Sequence, residues 1–525
     1  SLILLSFFVY FLVSSSPSKM ETNTHHIPLQ TLGGLVGALA AVILPNYGYN
    51  VRLYEGRADW RIPGTSAEDE DDTRPEDQHK DAIKRSINLA LSHRGQMALK
   101  KAGLLEKVMK FTVPMKCRAI HSTSDRDSEA DSWQPYDEVD ANNFINSVSR
   151  ERLNNLLIET AEKHPNCEVR FGHKLMHIDR AGVVHFENDP AKLTKGAPIR
   201  PCTYNDYEAQ RIQVKPILVL GCDGAYSSTR EAMLRLMPMD FHREYIKHGY
   251  KELCIPPTKD GNFAMKDTEA LHIWPRGEFM MIALPNPDKS FTCTIFAPFR
   301  NSTDAKGKVA YGLLDVEAGT DADVETYFKT YFPDVLPIMP NWLKDFRRNP
   351  SCQLVQTKAA PWNYKDKILI IGDAAHAIVP FYGQGMNAGM EDVLALTEML
   401  DEHNNDLSKA IPAFAESRRP TGEAIGTLSL NNYLEMRDHT GSKLFLIRKK
   451  IEGFLNWLMP KTWIPLYKMV AFTRIPYDVA IAREAKQDKI LTNLTNIFVG
   501  ALAVGVAGAA LAACDGRRLL EAWKR

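Results

Sequence analysis

From Lys367 to Val393 the chain reads KILIIGDAAHAIVPFYGQGMNAGMEDV. An apolar run ends in Gly372-Asp373, and three more glycines follow (Gly383, Gly385, Gly389) before the next acids, Glu391-Asp392. One carboxylate and much bare backbone directly after a buried strand let main chain come close to a ligand. Two earlier stretches carry the same idea. At Leu32-Gly33-Gly34-Leu35-Val36-Gly37 the second and third glycines of a G-x-G-x-x-G fingerprint stand as Gly34 and Gly37, and Glu55 lies 21 residues after Gly34, placed for a ribose hydroxyl. Leu32 stands where the first glycine belongs, and Pro28 in the preceding HHIPLQT would remove a ladder hydrogen bond. The third turn, Gly221-Cys222-Asp223-Gly224, closes the apolar run ILVL. Each turn alone is a weak signal. Three in this order point to a dinucleotide site.

The elements that must position these turns follow from pattern. GGLVGALAAVIL reads as a helix with small residues toward a sheet, and YNVRLYE as a strand. The acidic stretch 67–81 cannot bury a core. Residues 149–163 form an amphipathic helix with Ser149 as N-cap. Residues 245–300 alternate β-branched and aromatic runs with Pro and Gly, the pattern of antiparallel strands in a separate sheet, and residues 390–485 read as mostly helical. The fold class expected is α/β, with a Rossmann-like dinucleotide domain and an inserted sheet domain. The segments expected are 1–32 undefined, 33–225 and 351–400 dinucleotide-binding, 226–350 the sheet, 401–489 a helical closure and 490–514 a membrane anchor.

At 525 residues the chain has room for two or three domains. Sixty-four basic and sixty-four acidic residues cancel, which gives no case for nucleic acid. The eight cysteines show neither CxxC nor metal-ligand spacing, so reduced thiols and no metal are expected. The run Leu2–Val13 is too short to span a bilayer. It reads either as a targeting segment or as residues upstream of a start at Met20. Residues 490–514 carry no charge. As a helix of ~1.5 Å rise they would reach roughly 37 Å, so a C-terminal transmembrane helix is expected, its orientation not set by the basic flanks on both sides.

The layout of an N-terminal dinucleotide motif, then GCDGAYSSTR, then GDAAHAIVPFYGQGMNAGMED resembles the FAD-dependent aromatic hydroxylases. Longer stretches resemble the kynurenine 3-monooxygenase family: RSINLALSHRGQMALKKAGL (85–104), HGYKELCIPP (248–257), LHIWPRGEFMMIALPNPDKSFTCTIFAPF (271–299), NNYLEMRDH (431–439) and WIPLYKMVAFTRIPY (463–477). The resemblance spans roughly residues 33–485. It implies NADPH- and FAD-dependent hydroxylation of L-kynurenine to 3-hydroxykynurenine with O2 through a flavin C4a-hydroperoxide. A mitochondrial outer-membrane site facing the cytosol is also implied.

On this resemblance Gly34, Val36, Gly37, Glu55, Ala90, Arg150, Leu175, Asp223, Asp373, Gly385, Met386 and Asn387 contact FAD, with Arg230 near the phosphates of the dinucleotides. Arg118 and Tyr136 hold the substrate carboxylate, Asn432 and Tyr467 supply further polar contacts, and Glu435 faces the amino group. Leu271, Ile273, Ile282, Leu284, Phe296 and Phe381 line the ring slot. No side chain is expected to be catalytic, because the flavin performs the oxygen chemistry. His376 is read as structural. Two other readings stay open: a hydroxylase of another aromatic substrate such as a quinone precursor, and an inactive, membrane-anchored homologue.

Overall fold

The computed structural model describes residues 9–14, 29–31, 34–62, 88–122, 130–188, 211–303, 309–438 and 443–497. Leu32, Gly33 and the acidic stretch 67–81 lie outside them.

Two seven-stranded sheets organise the chain. In the first, Asn50–Glu55 pairs in parallel with Cys167–Arg170, and Leu218–Gly221 in parallel with Ile368–Ile370. The last two strands are entirely buried, as expected when helices cover both faces of a sheet. The helix Leu35–Ile43 packs on this sheet beside Arg150–Glu162, whose Ser149 cap accepts from Arg152 N at 3.3 Å. Leu29–Thr31, only three residues long, pairs in parallel with Val51–Leu53. Val9–Ser14 runs antiparallel to both Asn50–Glu55 and Leu218–Gly221. The segment read from sequence as a possible targeting run thus contributes a strand.

The second sheet is mostly antiparallel, in the order Cys352–Ala360, Asp240–Ile255, Phe291–Pro298, Met280–Pro285, Ala270–Pro275, Cys117–Ile120, Ser132–Pro135. It recruits strands from outside 226–350, because its edges are completed by segments that the chain reaches before and after that stretch. Strand alternation divides its side chains. Trp274, Met281, Ala283, Cys293, Ile295 and Ala297 face a helical layer formed by Leu313–Ala318, Asp321–Tyr331 and Trp342–Arg348. Lys251, fully buried, fastens that layer by donating to Glu317 Oε1 at 2.9 Å and to the carbonyls of Phe346 and Asn349 at 2.8 Å. A buried histidine pair lies on the same side: His121 Nε2 meets His272 Nδ1 at 2.9 Å, and His121 stacks on Trp274. Leu271, Ile282, Leu284 and Phe296 point the other way, toward Tyr136, Tyr467, Phe381 and Tyr433.

The C-terminal third is helical: Gly385–Glu402, Leu407–Asp438, Lys443–Leu458, Leu466–Phe472 and 477–497. One expectation is corrected here. Among the described residues no helix is long and apolar enough to cross a membrane. The expected transmembrane helix 490–514 finds no support in its described part, 490–497, and from residue 498 onward that run lies outside the described residues. Cys117, Cys167, Cys222, Cys254, Cys293 and Cys352 are free thiols.

Candidate active site

The three glycine turns converge. Gly34 precedes the first helix at φ 128°, a conformation that side chains rarely adopt. Val36 beside it wedges between two glycines of the other turn: a Cβ on Gly372 would lie 3.2 Å from Val36 Cγ2, and one on Gly389 only 2.6 Å away. Gly372 itself has φ 57° and delivers Asp373 as the first residue of the short helix Asp373–His376. The Asp373 side chain has an open surface, yet protein surrounds it closely enough that desolvation raises its pKa. The Arg150 charge works against that rise, and desolvation in turn lowers the Arg150 pKa. An acid and a base that are both desolvated while retaining accessible surface line an interior recess. Gly37 is buried on the first helix.

Across the recess stands the N-terminus of Gly385–Glu402. Its first backbone bond runs from Ala388 N to Gln384 O, so the N–H groups of Gly385, Met386 and Asn387 are the unspent donors of that end. The Asn387 side chain is occupied: Nδ2 donates to Ala90 O at 2.7 Å and Gly383 O at 2.8 Å, and Oδ1 accepts from Ser92 N at 2.9 Å. A Cβ on Gly95 would collide with that Oδ1 at 2.6 Å, so the glycine lets helix His93–Lys101 press against the turn. A carboxylate, an arginine, a helix N-terminus and a glycine at positive φ fit a flavin dinucleotide: acceptor for hydroxyls, positive field for anions.

A saturated charge network lies beneath. Asp392 Oδ2 accepts from Gly372 N at 2.9 Å and meets His376 Nε2 at 2.6 Å, while Oδ1 accepts from Arg418 Nε at 2.7 Å. Glu391 accepts from Arg418 Nη2 and Arg94 Nη1, each at 2.7 Å. Arg94 is fully buried and donates further to Val470 O at 3.0 Å and to Ile475 O, with Tyr477 packed on its face. Burial alone would raise the pKa of both carboxyls, but the facing cations outweigh it and both are held below the usual range. His376, stacked on Trp362, is a strut under the loop, as its sequence context suggested.

The other wall is aromatic and cationic. Arg118 neighbours Leu271 in the parallel register of the second sheet. Its guanidinium carbon lies 4.6 Å from the Tyr467 ring centre and 5.1 Å from that of Tyr136. Desolvation opposes the Arg118 charge, but Tyr467, Tyr136 and Tyr382 facing it outweigh that penalty and the cation is retained. No carboxylate pairs with it among the described residues. The Tyr136 hydroxyl is buried and lacks a well-formed hydrogen bond. Tyr136, Tyr467 and Tyr382 form a nearly parallel stack, with centroid spacings of 5.4 and 5.6 Å. Lys468 Nζ reaches Asp137 at 2.6 Å, so consecutive residues of two segments grip each other beside Arg118. Leu271, Ile282 and Leu284 pack with Tyr136 and Tyr467. Phe296 and Phe381 adjoin at 5.0 Å, with Ile282 again between the groups. Ile273 shares the strand face of Leu271 and pairs with Ile282.

Several expected residues are placed elsewhere or are already engaged. Asp223 caps the helix Ser228–Leu236, accepting from Ser227 Oγ and, at 2.8 Å, from Thr229 N. Arg230 is buried and donates to Ala374 O and Ala225 O, each at 2.7 Å. Glu55, at its strand end, is paired with Arg57 at 3.0 Å. Asn432 Nδ2 donates to Phe381 O at 2.8 Å and so fixes the loop. Leu175 belongs to the core of the first sheet. The side chain of Glu435 is outside the described set. Tyr382 was missed, although a tyrosine in a glycine-rich loop beside Phe381 was the available signal.

Comparison with known proteins agrees with this geometry. A family model described as an FAD binding domain matches residues 265–427. Kynurenine 3-monooxygenase of Anopheles gambiae is 40% identical over 92% of this chain and 91% of its own length. That of Sus scrofa is 41% identical over 90% and 88%, and that of Dictyostelium discoideum 36% over 88% and 91%. Among solved structures, 2-methyl-3-hydroxypyridine-5-carboxylic acid oxygenase superposes with a TM-score of 0.55 at 18% identity, covering 79% of this chain and 94% of that one. PqsL of P. aeruginosa in complex with 2-aminobenzoylacetate does so at 0.55 and 17%, covering 78% and 95%. These two show the fold.

Proposed function

The chain belongs to the kynurenine 3-monooxygenase family, and from that premise we propose how its own side chains serve the hydroxylation of kynurenine at the ring carbon beside the aniline nitrogen, with FAD as cofactor and NADPH and O2 as co-substrates. The observation that carries the assignment of substrate side chains is Arg118: a desolvated cation, faced by phenols and paired with no carboxylate among the described residues. A buried charge without its opposite is costly, so the pocket is complementary to an acid that the ligand brings.

Arg118 takes the α-carboxylate, and the Tyr136 hydroxyl supplies the second donor that it does not spend inside the protein. Leu271, Ile282, Leu284 and Phe296 hold the aminophenyl ring flat against the apolar face of the second sheet. The loop Pro380–Tyr382 brings Phe381 to the ring and Tyr382 to the tyrosine stack, and Asn432 holds that loop in place. Asp373 and Arg150 flank the flavin side of the recess, and the N–H groups of Gly385–Asn387 favour negative charge there. Bound FAD supplies the chemistry that transfers reducing equivalents to dioxygen. The aniline already activates the ring carbon, so no protein base is called for. The task left to the chain is to orient the ring and exclude water, which the stacked tyrosines and the Asp137–Lys468 pair do by closing the mouth.

The test compares L-kynurenine with kynuramine, which has the same ring but no carboxylate. NADPH use and hydroxylated product are measured separately. The expected result is coupled turnover with L-kynurenine and a KM for kynuramine raised by roughly 30-fold or more. Equal KM values would show that Arg118 does not read a carboxylate.

A further inference from the structure

We propose that Arg243, Tyr226 and Tyr245 form the docking site for the phosphate-bearing end of the nicotinamide dinucleotide, an inference that rests on the NADPH-dependent reading above. Asp223 and both Nη groups of Arg230, in the turn expected to meet those phosphates, are consumed inside the protein, and only the Nε of the fully buried Arg230 is left over. Their neighbour Arg243 is not consumed in this way. Its guanidinium lies 4.8 Å from the Tyr226 ring centre and 5.3 Å from that of Phe241. Its Nε is buried and makes no hydrogen bond, and no carboxylate pairs with it among the described residues. A solvated surface arginine would keep Nε in water. This one is aimed along an aromatic shelf with a donor unspent.

The tyrosines complete a phosphate-binding chemistry. Tyr226 follows the GCDGA turn directly, and its hydroxyl lies 3.2 Å from that of Tyr245, which is 45% exposed. Burial pushes the Tyr226 phenol up to about 12, so it stays a proton donor at any working pH. Phenols and a guanidinium donate to phosphate oxygens, and the flat rings offer a face to adenine.

Position supports the same reading. Phe241 is shared by Arg243 and Arg230, and Arg230 grips the carbonyl of Ala374, the residue after Asp373. The shelf therefore backs onto the flavin turn. Arg243 and Tyr245 lie on the strand Asp240–Ile255, whose pairing shifts register between Tyr245 and Gly249. Bulges re-aim side chains at sheet edges beside active sites. Beyond the shift the same strand delivers Tyr250, whose surroundings include Arg150. Five residues of strand, roughly 16 Å, thus lead from the exposed shelf to the recess wall, a span that suits an extended dinucleotide.

The experiment uses the full chain loaded with FAD. NADP⁺ binding is measured by titration calorimetry, and flavin reduction by NADPH anaerobically with kynurenine present. Arg243→Gln should raise the NADP⁺ Kd roughly tenfold and flatten its salt dependence, the loss of one charge-assisted contact. FAD content and the kynurenine difference spectrum should stay unchanged. Tyr245→Glu, at an exposed position that tolerates the change, should weaken NADP⁺ at least as much by repulsion. An effect on NAD⁺ equal to that on NADP⁺ assigns the pyrophosphate, and an effect on NADP⁺ alone the 2′-phosphate. Unchanged Kd values in both variants, with FAD and kynurenine binding intact, would overturn this site and leave the hydroxylase reading standing. A wild-type flavin that NADPH does not reduce would sink that reading instead.

Discussion

Desolvated arginines, Arg94 and Arg418 buried and Arg118 half-buried, line different parts of this site, and the protein treats them differently. Arg94 and Arg418 beneath the flavin loop are met by Glu391 and Asp392 at 2.7 Å, with backbone carbonyls taking the donors left over. Arg118 is met, among the described residues, by the faces and hydroxyls of tyrosines and by no carboxylate. Saturated charge is architecture: removing any partner strands another charge in low dielectric. Unsaturated charge is a request addressed to a ligand. The difference shows which arginine to mutate when stability is the question and which when recognition is.

The largest effect is expected at the saturated end. Arg94→Met leaves Glu391 with Arg418 and Arg474 but without its most buried cation, and it frees the carbonyls of Met469, Val470 and Ile475. It should cost about 3–5 kcal/mol in chemical denaturation of the FAD-loaded protein. A loss under about 1 kcal/mol would mean that the network is dispensable. Arg118→Ala should leave the denaturation midpoint near wild type while raising the KM for kynurenine about 30- to 1,000-fold, or ~2–4 kcal/mol. Arg118→Lys should recover only part, since an ammonium lacks the planar fork. If Arg118→Ala also unfolded the protein, the contrast between saturated and unsaturated arginines would collapse.

Acid sharpens the contrast further. Desolvation holds His272 down at about 4, below the ~6.5 of an unfolded chain. As pH falls the unfolded state takes up this proton first, so stability present above about pH 6.5 is lost between there and about pH 4, up to ~3 kcal/mol. Glu391 and Asp392 are depressed carboxyls, and their contribution is lost only as pH falls below the ordinary carboxylate range. Urea midpoints at pH 7 and pH 5 for wild type and His272→Gln read this directly. Identical pH dependence in the two proteins would show that the histidine pair is not the cause. The smallest effect is expected at Tyr136→Phe, about 1 kcal/mol in the KM for kynurenine, because one neutral donor is removed from a site that keeps its cation.

What sequence could show divides along similar lines. That Leu271 shares a strand face with Ile273, and Ile282 with Leu284, follows from period-two spacing whatever the rest of the chain does, whereas their assignment to a ring slot came only from the family resemblance. Ser149 was legible as a cap for the same local reason. Asp223 and Arg230 were not, because nothing in GCDGAYSSTR says that Ser227 and Thr229 will claim the acid or that Ala374, more than 140 residues on, will claim the base. The bond from Arg94 to Glu391 spans 297 positions, and no local pattern encodes it. Sequence hydropathy led to a membrane-spanning reading of 490–514, which no helix among the described residues is long and apolar enough to support.

The Arg94 hub also sets an order of manufacture. Its donors reach residues 297 to 381 positions further along the chain. At ~5–20 residues per second of synthesis, Arg94 emerges roughly 20–75 s before Ile475 can meet it. Until then a cation destined for a dry interior must stay in water, and the helices around it cannot close. The packing around Arg94 is therefore unfinished while the ribosome works, and it is completed only when residues 469–475 arrive.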